Sequence, residues 1–317
     1  MPILPGTPES VARAVALLRS GGAVVLPTET VYGLAALVWD TAAVARIFEL
    51  KARPTFDPLI VHVADLAGLE RVAAHVPKVA ETLIARFWPG PLTLVLRKRR
   101  SVPGLVTAGL DTVAVRMPSH PTARAVLRGI GEPLAAPSAN PFGALSPTRA
   151  AHVAQALGTK VDLILDGGPA QYGIESTIVA VEPEPALLRP GAVAVEEIEA
   201  AIGPLARQPR PGGAMAPGRL PVHYAPRTPL RVIDPARVPL AERAGAAALS
   251  FREPFEGYAA TRVLSRRGEL REAAAALFEA LHALDALGLA RIDAQPFPDR
   301  GLGLAIMDRL RRAAAAH

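Results

Sequence analysis

The chain predicts an α/β protein in two parts: a mixed twisted sheet with helices over 1–203, then a small Rossmann-like α/β domain over 227–317. Three observations predict it. Short apolar runs alternate irregularly with helical periods up to residue 203, as in a mixed sheet rather than strict βαβ repetition. A proline-rich stretch without apolar period, 204–226, reads as a linker. Beyond it, strand and helix alternate regularly to the end. A length of 317 residues accommodates two ordinary domains.

The elements follow in order. Pro8-Glu9-Ser10 opens a helix over 8–20, which Gly21-Gly22 ends. Residues 23–26 form an apolar strand stopped by Pro27, and Thr41 caps a helix running to Leu50. Residues 59–63, 92–96, 113–117 and 134–136 read as strands, and 77–87, 121–129 and 148–157 as helices. Three further strands fall at 163–166, 176–181 and 186–189. After the linker come a strand at 230–233, a helical segment at 241–245 and a strand at 246–251. An Ala-rich amphipathic helix at 270–288, a third strand at 290–295 and a last helix at 303–316 complete the chain. No GxGxxG follows the 230–233 strand, so nothing supports dinucleotide binding there.

Composition narrows the chemistry. Half the residues are hydrophobic but only 4% are aromatic, so the core must rest on Ala, Val, Leu and Ile. A net charge of +6 suits an anionic substrate or a nucleic acid. Of 35 basic residues only Lys51, Lys78, Lys98 and Lys160 are lysine, and the Arg, Ala and Pro bias of a GC-rich genome accounts for the surface charge as a whole better than nucleic-acid binding does. The absence of Cys excludes disulfides, thiol nucleophiles and Cys-ligated metals. No apolar run has membrane-spanning length, and MPILPGTPES lacks the pattern of a signal peptide, so a cytoplasmic protein without membrane contact is expected. There is no GxSxG elbow and no HExxH.

Two clusters carry most of the chemistry. Lys51-Ala-Arg53 places two cations one residue apart, a pair suited to a polyanion. The same charges at a helix end also complement its dipole. Ser138-Ala-Asn140, just past a buried strand, makes a polar ledge where a substrate can sit. Ser138, Asn140 and Ser146 either cap phosphate or form turns in a Pro-rich loop. Thr28, Glu29 and Thr30 follow a strand end and read as a pocket at its carboxyl edge or as an ordinary cap. Thr112 and Arg116 fall on one strand face by the period of two. Arg116 there can grip a carboxylate with two hydrogen bonds or sit in a sheet salt bridge. His62 ends an apolar strand, where a lone His is usually structural.

PTETVYGL at 27–34, Lys51-Ala-Arg53-Pro54, PLIVH at 58–62, WPGPLTLVL at 88–96, TAGLDTVAVRMP at 107–118, APSAN at 136–140 and ESTIV at 175–179 occur in one order. That series resembles the YrdC-like domain of threonylcarbamoyl-AMP synthases. APGRLPVHYAP at 216–226 and RGLGLAIMDRLRRA at 300–313 are similar to the long form with a second C-terminal domain. The resemblance implies that L-threonine, bicarbonate and ATP, with Mg²⁺, are joined into threonylcarbamoyl-AMP and pyrophosphate for tRNA modification. It implies downstream tRNA-modification proteins as partners and leaves direct RNA contact open. Lys51 and Arg53 would then be catalytic and, with Thr112, Ser138, Asn140, Ser146, Arg189 and Tyr224, would bind ATP. Thr28, His62, Arg116 and Ser176 would bind threonine. Tyr224, on the linker, would stack on the base and close the pocket as a lid. Asp57 departs from the Asn usual in the family, and stands as a bystander or as a metal contact through Mg²⁺. No protein metal ligand is otherwise indicated. The alternative that charge alone suggests is a double-stranded-RNA-binding module with a basic concave sheet.

Overall fold

Ten strands of the first two hundred residues join into one mixed sheet. The computed structural model describes residues 2–207 and 223–316. In chain order the first part holds β1 (Ile3–Pro5), α1 (Pro8–Arg19), β2 (Val24–Leu26), β3 (Gly33–Leu37), α2 (Thr41–Lys51), β4 (Ile60–His62), α3 (Leu66–Val72), α4 (Lys78–Phe87) and β5 (Leu92–Arg97). There follow α5 (Gly104–Thr107), β6 (Thr112–Arg116), α6 (Pro121–Ile130), β7 (Leu134–Ala135), α7 (Ala150–Leu157), β8 (Leu163–Asp166), β9 (Thr177–Ala180), β10 (Ala186–Arg189) and α8 (Val195–Ile202). The strand order is β1-β8-β2-β3-β7-β4-β6-β5-β9-β10, with parallel and antiparallel neighbours mixed.

The second part comprises β11 (Leu230–Val232), β12 (Ala246–Ser250), β13 (Ala260–Val263), α9 (Leu270–Asp285), β14 (Arg291–Ala294) and α10 (Leu302–Ala314). Its four strands run all parallel in the order β11-β14-β12-β13. The expected small α/β domain with a parallel sheet is present, but the regular strand–helix alternation is not: β12 passes directly to β13, with no helix between them. The helical segment expected at 241–245 is instead a single 3-10 turn, Leu240–Glu242. Asp40, not Thr41, caps α2, its carboxylate accepting from the Ala43 N–H at 2.9 Å.

Period-two patterning sorts the central strands into two faces. Val61, Leu94, Leu96, Val113, Val115 and Val179 point into one core, with Ala80 and Leu83 of α4 and Ile198 of α8. Ile60, Ala114, Val95, Ile178 and Ala180 point the other way into a smaller cluster. β4 and β6 are parallel with His62 beside Arg116, so both side chains leave the sheet together at one end of this second face.

The two sheets share a core. Val31, Leu145, Ile174 and Ala192 of the first part pack with Leu277, Phe278, Leu281 and Leu310 of the second. Gly173, at φ +64°, lies so close to α9 that a Cβ would meet the Ala275 carbonyl oxygen at 2.2 Å. The linker is anchored at both described ends. Leu205 enters the larger core and Ala206 pairs with Ala186. Ala225 pairs with Ala144, its N–H donating to the Gly143 carbonyl at 2.7 Å.

Candidate active site

Strand ends from across the large sheet open on one small cavity of ≈ 50 Å³. Its walls include Thr28, Thr30, Arg53, His62, Arg116, Ser138, Glu175, Ser176, Arg189, His223 and Tyr224. Nine residues singled out in the sequence thus meet here: Thr28, Thr30, Arg53, His62, Arg116, Ser138, Ser176, Arg189 and Tyr224.

Arg116 is buried and gathers four polar partners. Its Nη1 donates to Glu29 Oε1 at 2.7 Å and to Thr30 Oγ1 at 3.1 Å. Its Nη2 reaches His62 Nε2 at 2.9 Å and Thr28 Oγ1 at 3.4 Å. Arginine only donates, so His62 Nε2 accepts and the ring proton sits on Nδ1, facing the Ile60 carbonyl at 3.3 Å. Burial, then the Arg116 charge, holds the His62 pKa well below the usual histidine range, which agrees with a neutral ring. Thr28 gives its only hydroxyl proton to the Val31 carbonyl at 2.6 Å. Thr30 therefore donates to Thr28 at 2.8 Å, and both hydroxyls accept from Arg116. Arg116 Nε is buried without a hydrogen-bond partner among the described residues.

Lys51 and Arg53 diverge because Ala52 adopts the left-handed conformation, φ 49°, at the end of α2. Arg53 turns to the cavity, with Asp57 Oδ2 at 2.9 Å and the Pro58 carbonyl at 2.9 Å. Burial raises the Asp57 pKa and Arg53 opposes it. Asp57 is thus the buried counter-ion of Arg53, which gives the departure from Asn a structural role. Lys51 is fully buried behind the wall, its ammonium donating to the Ser138 and Asn140 carbonyls. It fastens the 138–140 ledge, so the loop backbone depends on a side chain that sequence reading gave either to phosphate or to the helix dipole. Burial, then the Arg53 charge, pulls its pKa well below the usual lysine range.

Three further expected residues lie off the cavity wall. Asn140 Nδ2 donates to the Pro141 and Ala144 carbonyls, bracing the loop. Ser146 Oγ donates to Glu175 Oε1. Thr112 begins β6 opposite Arg97, at the other end of the strand from Arg116. On the far wall, Arg189 Nη2 donates to the Ser176 carbonyl at 2.9 Å and reaches Ser176 Oγ at 3.3 Å. Ser176 Oγ also meets Thr93 Oγ1 at 2.7 Å. Gly191 is required beside them, since a Cβ would lie 2.4 Å from Glu175 O.

His223 and Tyr224 form the remaining wall. Tyr224 is 1% exposed, at φ 63°, a backbone region that costs an L-residue about 1–2 kcal/mol. Phe278 at 5.7 Å and His223 at 4.0 Å, between ring centroids, hold it. Its hydroxyl and His223 Nδ1 have no hydrogen-bond partner among the described residues. Burial raises the Tyr224 pKa and depresses that of His223 to about 3. Sequence reading gave no role to Glu175, His223 or Arg309, and read Glu29 and Thr30 with Thr28 as a pocket or an ordinary cap, without a ligand of their own. All five stand inside the motifs quoted above.

The mixed sheet and a cavity walled by Arg53, Arg116 and Arg189 define an enzyme site for an anionic substrate. A family model described as "Telomere recombination" matches residues 16–191, and one described as "Threonylcarbamoyl-AMP synthase, C-terminal domain" matches 193–315. The Bacillus subtilis threonylcarbamoyl-AMP synthase is 45% identical, over 96% of this chain and 92% of its own. The Pyrococcus abyssi threonylcarbamoyl-AMP synthase is 43% identical, over 95% and 92%. A crystal structure of P. abyssi Sua5 complexed with L-threonine superposes with TM-score 0.90 at 41% identity, covering 96% of this chain and 94% of that one. The chain belongs to the threonylcarbamoyl-AMP synthase family.

Proposed function

We propose that this chain joins L-threonine, bicarbonate and ATP into threonylcarbamoyl-AMP and pyrophosphate, a nucleotidyl transfer that feeds tRNA threonylcarbamoyladenosine formation in the cytoplasm. The observation that carries it is the meeting, in one cavity, of the Thr28–His62–Arg116 cluster with Arg53 and Arg189. The first suits a small amino acid and the second a polyphosphate.

Threonine sits at Arg116, whose unpartnered Nε–H supplies a donor for its carboxylate. Glu29, Thr30 and His62 fix the guanidinium in place, with Thr28 and Ser176 beside the substrate. The His62 lone pair is spent on Arg116, so His62 orients the arginine rather than taking a proton. His223, with a pKa of about 3, is too weak a base at neutral pH. The threonine amine, as its free base, adds to the bicarbonate carbon, and one water leaves with the bicarbonate hydroxyl and an amine proton to give the carbamate. No base is then needed: a carbamate oxygen bonds to the α-phosphorus as the bond to the β-phosphate oxygen breaks and pyrophosphate leaves. Arg53 and Arg189 hold the phosphates and offset the charge that moves onto the leaving group. Lys51, Asn140 and Ser146 serve ATP from behind, by holding the wall that touches it. Thr112, at the opposite end of β6, would reach nucleotide only outside this cavity.

Among the described residues no group of three His, Asp or Glu side chains clusters to hold a metal. Magnesium accompanying ATP would rest on phosphate oxygens, and no step here is assigned to it. A cavity of ≈ 50 Å³ cannot enclose ATP, so Tyr224 and His223 stand where the nucleotide must pass and act as a lid. The domain division stays as 1–203 for catalysis, 204–226 for the linker and 227–317 for the part that carries α9 behind the lid. Pyrophosphate release measured with each of the twenty amino acids, with and without bicarbonate, tests the assignment. Release should require threonine and bicarbonate together. Equal release with another amino acid, or without bicarbonate, would contradict it.

A further inference from the structure

Arg309 belongs to α10, in the second part of the chain, yet it is 0% exposed and reaches Glu175 and Pro190 of the first. Its Nε donates to Glu175 Oε2 at 3.0 Å, and its Nη1 to the Pro190 carbonyl at 2.6 Å and to Asp308 Oδ2 at 2.9 Å. Its guanidinium carbon lies 5.2 Å from the centroid of the Tyr224 ring. One side chain therefore touches three pieces of the cavity wall: Glu175 itself, Pro190 next to Arg189, and Tyr224.

Glu175 is the problem that this contact solves. It is a buried carboxylate in the wall of a cavity proposed to take a triphosphate. Unpaired, it would repel the phosphates and would be costly to bury. Burial opposes its ionisation, but Arg309, Arg189 and the Ser146 hydroxyl outweigh burial and hold it below the usual carboxylate range. With Arg309 on one oxygen and Ser146 on the other, the carboxylate is neutralised and its orientation fixed. The same guanidinium backs the Tyr224 ring with a cation–π contact.

We infer that Arg309 is a positioning residue for the nucleotide half of the site: it cancels the Glu175 charge and seats Tyr224, so that the second sheet contributes directly to ATP binding. The inference rests on ATP occupying this cavity.

Titration calorimetry on full-length protein, with ATP and with threonine, separates this role from simple stapling of the two parts. Arg309→Met should weaken ATP by about 30-fold, the cost of stripping one partner from a buried charge pair. Threonine affinity should stay within about twofold, since Arg116 and its partners do not touch Arg309. Adding Glu175→Gln to Arg309→Met should recover part of the ATP affinity, because the uncompensated charge is gone. Arg309→Lys, which keeps the charge, should fall between parent and Met. If Arg309→Met fails to fold, Arg309→Lys alone, which keeps the charge but loses the fork to Glu175 and Pro190, should weaken ATP several-fold with threonine affinity within about twofold, and equal loss of both ligands would overturn the inference. Arg149→Ala, which breaks the exposed ion pair to Glu279 across the two parts, should change neither affinity. Parental ATP affinity in Arg309→Met, equal loss of both ligands, or no recovery on adding Glu175→Gln would overturn the inference. A parent that binds ATP in this pattern yet forms no threonylcarbamoyl-AMP would refute the proposed reaction and leave Arg309 in its role.

Discussion

At the scale of single residues, buried charge decides most of what substitutions here should do. Arg116→Ala would leave the Glu29 carboxylate buried without its counter-ion, a loss of about 3–5 kcal/mol. The variant should melt well below the parent and lose most of its threonine affinity; parental affinity measured by calorimetry would remove Arg116 from the site. Lys51→Ala should cost stability as well as turnover, because two loop carbonyls lose their donor. A Lys51→Ala protein with parental melting temperature would contradict the fastening role. Sequence reading expected that fold to be indifferent to Lys51, since a lysine at a helix end reads as a surface charge. The αL turn at Ala52 that buries it leaves no mark in a Lys-Ala-Arg string. Arg309 did leave one. It falls in the apolar stripe with Ala305, Ile306 and Ala313, where a basic residue must be buried with a partner.

At the scale of elements, legibility followed apolar density. β8 and β10, written LILD and ALLR, were bounded correctly to the residue. β3, written GLAAL, was not found, since Gly and Ala carry little strand preference and its place is set by β2 and β7 on either side. β13 was missed as a half-exposed edge strand. The short segment around Tyr224 has no periodicity at all, and its position comes from Ala144, Phe278 and Arg309. Because the Tyr224 hydroxyl is buried and unpartnered, Tyr224→Phe should melt at or above the parental temperature, by up to about 1 kcal/mol of stability. Its ATP affinity should fall several-fold if the hydroxyl finds its partner on the nucleotide. Unchanged affinity in Tyr224→Phe and also in Tyr224→Ala would remove the lid.

At the scale of the whole molecule, the +6 charge that pointed toward a polyanion is partly internal: Arg53, Arg116, Arg189, Arg243 and Arg309 are all buried. Several histidines are buried too, and burial holds them neutral, His223 to about 3 and His152 to about 4, with His62 also depressed. The unfolded chain takes up these protons near pH 6.5, while the folded chain resists until far lower pH. Stability is therefore full above about pH 6.5 and falls as the pH drops below it. Melting temperatures taken from neutral pH down to about pH 5 should decline steadily; a flat or rising series would contradict the burial of neutral imidazoles. The family motifs made the reaction legible, whereas the shared core and the Arg309 contact appear only when both sheets are in place. The reaction itself is tested most directly by supplying isotopically labelled bicarbonate with threonine and ATP and weighing the adenylate formed. The account predicts one adduct of AMP that carries the bicarbonate label and the whole of threonine, with pyrophosphate in equal amount. An adenylate without the label, or pyrophosphate released without any threonine-containing adduct, would contradict it.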